Sequence, residues 1–442
     1  METKEAKLNT FLKKVGAAPK QRTKEWYEGR KTTLGGSEIA TVIGHNPFGN
    51  VRELIAKKIG LSSFNGNSYT RWGNLFEKLT RNWCELIMDI PGRIQETGAV
   101  EGKIKSLKYS PDGIGIVLFE QDDGSKIPYI VLFEFKAPFS SLPNGKIPPY
   151  YLPQILTGLL TINICDFGIF VNNSYRKCKL SQLGWNGEYD TVYHASDYKK
   201  RKYGQSKEPV KGCGMIFFSQ KPEQYYKIYE LYQGDSDSEY DINDALDDVK
   251  STEEIFPQNE FEESDLAIIG SENSMLDFGG YDKEHFDRVL ELFDKKMLQP
   301  VYFPIIPNTT AINNMDFVSD YGFECKEKKI NIKKRTTAYI KRFKQRCKER
   351  GLLTVGYLPY KIYRSDIILE EPDEKWETTI KEPVEKTIGL LKKINESSNS
   401  EETFYEEFAP YEKDNMPILN VDKTKSLFTD NASESDSEIS DD

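Results

Sequence analysis

An α/β fold is predicted by three observations. Residues Tyr69 to Ile90 carry apolar side chains at helical spacing. Two strand-like runs, "KSLKYSPDGIGIVLFE" and "IPYIVLFEFKAP", are separated by the turn-rich "QDDGSK", which reads as a hairpin. After a proline-rich loop (Pro138, Pro143, Pro148, Pro149), a helix containing Gln154 and the strand "CDFGIFVNN" follow.

Taken in order, residues 1–21 read as a polar leader. From Arg22 to Gly60 two helices are expected around a glycine-rich turn. "GGSEIATVIG" places Ser37 at an N-cap, and "VRELIAKKIG" ends at Gly60. The helix from Tyr69 has the stripe Leu75, Phe76, Leu79, Trp83, Leu86 and Ile87, is stopped by Pro91, and carries Glu77 near its N-terminal end, beside the stripe. A core of 22–233 is followed by an acidic linker at 234–265, with thirteen Asp/Glu and one Lys between Asp235 and Asp265. Residues 266–350 read as an insertion whose end, Lys326 to Arg350, holds twelve Lys/Arg against two Glu. The strand-like "LLTVGYLPYKIYRSDIIL" and a helix at 375–395 complete the core over 351–395. Residues 396–442 read as an acidic, disordered tail.

The 442 residues are too many for one simple domain, and 38% hydrophobic with 29% charged content suits a soluble chain with a substantial core. No run is long and apolar enough to span a bilayer, and the start does not resemble a signal peptide. Six scattered cysteines without a C-x-x-C pair, and three histidines, argue against zinc and for free thiols. The net charge of −10 is segregated along the chain, so it says little about a binding face.

The chemistry lies in an ordered set: Glu77 in "GNLFEKL", Asp112 in "SPDG", and Glu134-Phe135-Lys136 in "VLFEFKAP". Charges on a buried strand are costly unless paired or metal-bound. Residues two apart on a strand share a face, so Glu134 and Lys136 project together. A carboxylate there can hold a divalent cation, and the ammonium can sit beside an attacking water. Asp112, between Pro111 and Gly113, suits the mouth of a hairpin. Each residue also has an ordinary reading: a solvent-facing pair for Glu134 and Lys136, a turn residue for Asp112, a solvated helix carboxylate for Glu77. An oxygen-rich set of this kind suits Mg²⁺ or Mn²⁺.

These motifs resemble the PD-(D/E)XK nuclease superfamily, and within it the phage lambda-type exonucleases, also called YqaJ-like viral recombinases, in the versions carried by large cytoplasmic DNA viruses. "GRKTTLGGSEIATVIGHNPFGN", "RWGNLFE", "SPDG", "EFKAP" and "YYLPQILTGL" carry the resemblance, which covers roughly 22–220 and, weakly, 352–395. It implies a restriction-endonuclease-like core, a mixed central sheet flanked by helices. It also implies a hydrolase acting as a 5′–3′ exonuclease on duplex DNA ends, leaving 3′ overhangs for viral recombination, repair or genome processing. Two metal ions per site are implied, one held by Asp112, Glu134 and the Phe135 carbonyl, the second by Glu77 and Asp112, with Lys136 orienting or deprotonating the water. Gln154 matches the glutamine of the last core motif, near the catalytic groups or merely fixing its helix. Arg30, Ser37 and Ser110 match the residues that cradle a 5′-phosphate; otherwise Arg30 is a surface charge and Ser37 a cap. Lys341, Arg342, Lys344 and Arg346 lie outside the resemblance and read either as a DNA-contacting face or as a solvated charge run. His45 reads as structural. A structure-specific endonuclease and a non-catalytic DNA-binding or host-interaction protein remain as alternatives. A single-strand annealing partner, homo-oligomers and a site of action at viral replication in the host cytoplasm complete what the resemblance suggests.

Overall fold

The computed structural model describes residues 3–16, 18–19, 21, 23–62, 66–185, 209–224, 275–326 and 331–413. The acidic linker at 234–265 and the end of the tail from 414 lie outside the described residues.

The centre is a curled mixed sheet. Strands β4 (Gly113–Glu120) and β5 (Lys126–Lys136) form the antiparallel hairpin read from the sequence. β5 pairs in parallel with β6 (Phe167–Lys177), and the connection between them holds helix α6 (Leu152–Thr161). Strand β11 (Leu353–Glu370) lies antiparallel to β6 along one part and to β7 (Gly212–Gln220) along another, giving the order β7-β11-β6-β5-β4. Residues Ile130 through Phe135 of β5 are all buried, because both faces of the strand are covered. Val131, Phe133 and Phe135 face helix α5 (Ser68–Ile87). Ile130 and Leu132 face α6 and helix α1 (Lys4–Val15).

Helix α5 forms where its apolar period predicts. Asn67 caps it, accepting from the Thr70 N–H at 3.0 Å, and Trp72, Leu75, Phe76, Leu79 and Trp83 are buried on the sheet. Glu77 is tenth of its twenty residues, so it sits midway along the helix instead of near its start. Ser37 is not an N-cap either. It lies inside a short 3-10 turn, Gly36–Glu38, that Gly35 precedes.

Three segments differ in character from what their composition suggests. Residues of the leader form α1, whose Leu8 is buried in the core beneath β5. The described part of 266–350 is woven into the sheet. β9 (Gln299–Tyr302) and β10 (Ile306–Pro307) pair with β7, closing an edge that would otherwise be open. Helix α7 (Lys283–Asp294) adds Phe286, Val289 and Leu290 to the core around α5. At the tail, Ser400–Lys413 is helical. Its Phe404 and Phe408, four apart on one face, pack on Leu391 and Ile394 of helix α11 (Trp376–Glu396) and on Ile55. Among the described residues no helix is long and apolar enough to cross a membrane.

Candidate active site

Glu77, Asp112, Glu134, Phe135, Lys136, Gln154, Arg30, Ser37 and Ser110 all line one cleft of about 1080 Å³. Glu134 is its floor and is fully buried, as the apolar flanks of the motif foretell. The Tyr109 hydroxyl donates to its Oε2 at 2.7 Å. Lys136 Nζ and Gln154 Nε2 both donate to its Oε1. Asp112, beside the open end of the hairpin, accepts the Phe135 N–H on Oδ2 at 2.9 Å, which ties the turn to the strand carrying Glu134. Glu77 and Asp112 are half-buried. Lys136 Nζ also stands 4.8 Å from the centre of the Tyr151 ring. Burial opposes the charge on Lys136, but the carboxylates of Glu134 and then Asp112 prevail and hold its pKa above the usual lysine range.

On another wall Arg30, from helix α2 (Lys24–Arg30), lies 4.7 Å above the Trp26 ring. The four-residue spacing of Trp26 and Arg30 puts both on one face of that helix. The Trp26 Nε1–H donates to the Ser110 hydroxyl at 3.1 Å, so one indole touches two of the residues matched to phosphate binding. Arg30 donates to Glu38 Oε1 at 2.7 Å and lies 3.5 Å from the Ser37 hydroxyl. Glu38 Oε2 accepts the Gly35 N–H at 2.8 Å and pairs with Lys58 at 2.9 Å. Burial would raise the Glu38 pKa, but Arg30 and Lys58 outweigh it and keep the carboxylate below its usual range. Lys58, itself buried, also donates to the carbonyls of Arg30 (2.8 Å) and Thr33 (2.7 Å). Arg30 and Lys58 thus share the Glu38 carboxylate.

Trp26, Glu38, Lys58 and Tyr109 were not foreseen from the sequence. Glu38 and Tyr109 adjoin Ser37 and Ser110 in sequence, and Trp26 precedes Arg30 by one helical turn; Lys58 has no such neighbour, and nothing local marks Tyr109 as a donor to Glu134. The basic segment falls elsewhere. Lys341, Arg342 and Arg346 are exposed and Lys344 half-buried on helix α10 (Ile332–Arg350), which packs on β7 and β11; none of the four lines the cleft. His45 is exposed on a turn, its N–H bonded to the Ala40 carbonyl at 2.7 Å.

The cleft thus gathers the carboxylates of Glu77, Asp112 and Glu134 and the Lys136 ammonium, with Arg30 on another wall. Residues 25–163, which hold every cleft residue named in the sequence motifs, match the YqaJ-like viral recombinase domain. The resemblance read from the motifs therefore holds over this region. The chain is 31% identical over 207 residues to a protein of African swine fever virus, both in the Malawi tick isolate and in the Vero-adapted Badajoz strain. That alignment covers 42% of this chain and 59% of those relatives, so the chain spans about three-fifths of their length. Among solved structures it is similar to an alkaline exonuclease (LHK-Exo) from Laribacter hongkongensis, at 20% identity over 34% of this chain and 74% of that one, with a TM-score of 0.26. The complex of LHK-Exo with dAMP gives the same identity and TM-score over 73% of its chain.

Proposed function

We propose that this chain is a viral, metal-dependent deoxyribonuclease that digests one strand of linear duplex DNA from its 5′ end and leaves a 3′ single-stranded overhang. The observation that carries the reading is the shared cleft: the motif carboxylates, Lys136 and Gln154 line the same cavity as Arg30, Ser37 and Ser110. The match of residues 25–163 to a viral recombinase domain supports it.

The donor set fits a divalent cation. Glu77, Asp112 and Glu134 outnumber Lys136, so the cleft floor would repel a phosphodiester without one. Among the described residues no three His, Cys, Asp or Glu side chains gather closely enough to hold an ion. Mg²⁺ typically binds through one or two carboxylates and keeps several waters. Asp112, Glu134 and the Phe135 carbonyl would hold one ion, Glu77 and Asp112 a second. When bound, the ions would stabilise charge on the attacking and leaving oxygens. Lys136, paired with Glu134 in the same cleft, would orient or deprotonate the attacking water. Gln154 shares Glu134 Oε1 with that ammonium and limits its movement. Arg30 and Ser37 would grip the terminal phosphate, Arg30 through a charged fork. The overhang is the form of DNA that a strand-annealing partner takes up.

The deciding experiment compares Mg²⁺-dependent degradation of linear 5′-phosphorylated duplex with that of closed circles. Linear DNA should be consumed and circles spared, and Glu134→Gln should abolish cleavage while duplex binding persists. Equal attack on circles would make the protein an endonuclease. Wild-type rates in Glu134→Gln would remove this cleft from the chemistry.

A further inference from the structure

Tyr109 closes the short strand β3 (Leu107–Tyr109), and its ring is buried at 1% exposure. Two glycines on different elements flank it. A Cβ on Gly36 would stand 2.3 Å from ring carbon Cδ2, and one on Gly158 would stand 2.6 Å from Cζ. Both positions therefore need glycine for as long as the ring stays in place. Gly36 opens the turn that carries Ser37 and Glu38, and Gly158 lies one helical turn beyond Gln154 on α6. The ring is wedged between the Ser37–Glu38 turn and the glutamine helix, and its hydroxyl ends on Glu134 Oε2 at 2.7 Å. With Lys136 and Gln154 on Oε1, the carboxylate is held from both oxygens by groups on β3, β5 and α6.

A carboxylate oxygen can only accept, so the phenol O–H is the donor in this bond. A donor fixed on one side of a carboxylate oxygen sets where its remaining lone pair points. Oxygen ligands of hard cations are oriented in this way by outer hydrogen bonds.

We propose that Tyr109 is a positioning residue that orients the Glu134 carboxylate for cation binding. The proposal rests on the reading that Glu134 holds a divalent cation. The test titrates Mn²⁺ into full-length protein without DNA, by calorimetry, alongside the Mg²⁺ dependence of cleavage. Wild type should bind Mn²⁺, and Glu134→Gln should lose that binding. Tyr109→Phe keeps the wedge and removes only the hydroxyl. It should bind Mn²⁺ roughly 10–100-fold more weakly and need correspondingly more Mg²⁺ for half-maximal cleavage, with an unchanged KM for duplex. Wild-type Mn²⁺ affinity in Tyr109→Phe, with the loss intact in Glu134→Gln, overturns the proposal and leaves the cation reading standing. Failure of wild type to bind Mn²⁺, or full binding by Glu134→Gln, overturns both. If Tyr109→Phe does not fold, Gly36→Ala serves instead: it retains the hydroxyl but crowds the ring, and the same weakening is expected. Unchanged affinity there overturns the proposal.

Discussion

Arg30 is useful to a phosphate only if its guanidinium is held towards the cleft, and three neighbours do this. Trp26 supports its face, Glu38 takes one donor, and Lys58 shares the Glu38 carboxylate. Replacing Arg30 by Ala should slow digestion of 5′-phosphorylated ends and erase the preference over 5′-hydroxyl ends. The loss should be on the order of 1.5–3 kcal/mol, the range for a hydrogen bond to a charged group. Initial rates on both ends for both proteins measure it, and an intact preference in the variant rules the pocket out. Glu134 and Lys136 were legible because two charges amid Val131, Leu132 and Phe133 need a reason to be buried. Asp112 was legible because its turn composition stands just upstream of them. Tyr109 and Lys58 were not, since a buried tyrosine and a helix lysine look ordinary until distant residues close around them.

Helix α10 is the clearest case of an element whose location the sequence could not give. Its apolar residues Tyr339, Ile340, Phe343 and Cys347 recur at helical spacing and bind it to the sheet, leaving the basic residues outward. Composition alone made it an appendage; pairing of β9 and β10 with β7 made its surroundings part of the sheet, a long-range outcome with no local signature. If the outward face meets DNA, replacing Lys341, Arg342, Lys344 and Arg346 with Ala should weaken duplex binding regardless of sequence. Each lost phosphate contact should flatten the log–log salt slope by roughly 0.9. Fluorescence anisotropy across a salt series reads this directly, and an unaltered slope would assign the face to solvent or to another protein.

At the scale of the molecule, the site is encoded in the first third of the chain but supported by the last. Helix α11 packs Trp376, Ile380 and Val384 against Leu34, Ile39 and Val42, which flank the Ser37–Glu38 turn. The Trp376 Nε1–H also donates to Thr157 on α6 at 3.1 Å. Ile380 is fully buried, so Ile380→Ala should lower the unfolding free energy by about 2–5 kcal/mol. Denaturant titration checks this. A wild-type midpoint would mean that α11 does not belong to the same cooperative unit as the cleft. The helix itself was readable from its sequence; the surface it covers was not.

Strand β11 has a consequence for how the protein is made. It enters between β6 and β7 from residues 353–370, so the neighbour of the strand beside Lys136 arrives late in synthesis. A ribosome-bound chain that has emerged only as far as β7 carries every motif of the cleft but an unfinished sheet, with a bare edge on β6 open to other chains. Until residues 353–370 are made, that edge is a place where the nascent chain can pair wrongly.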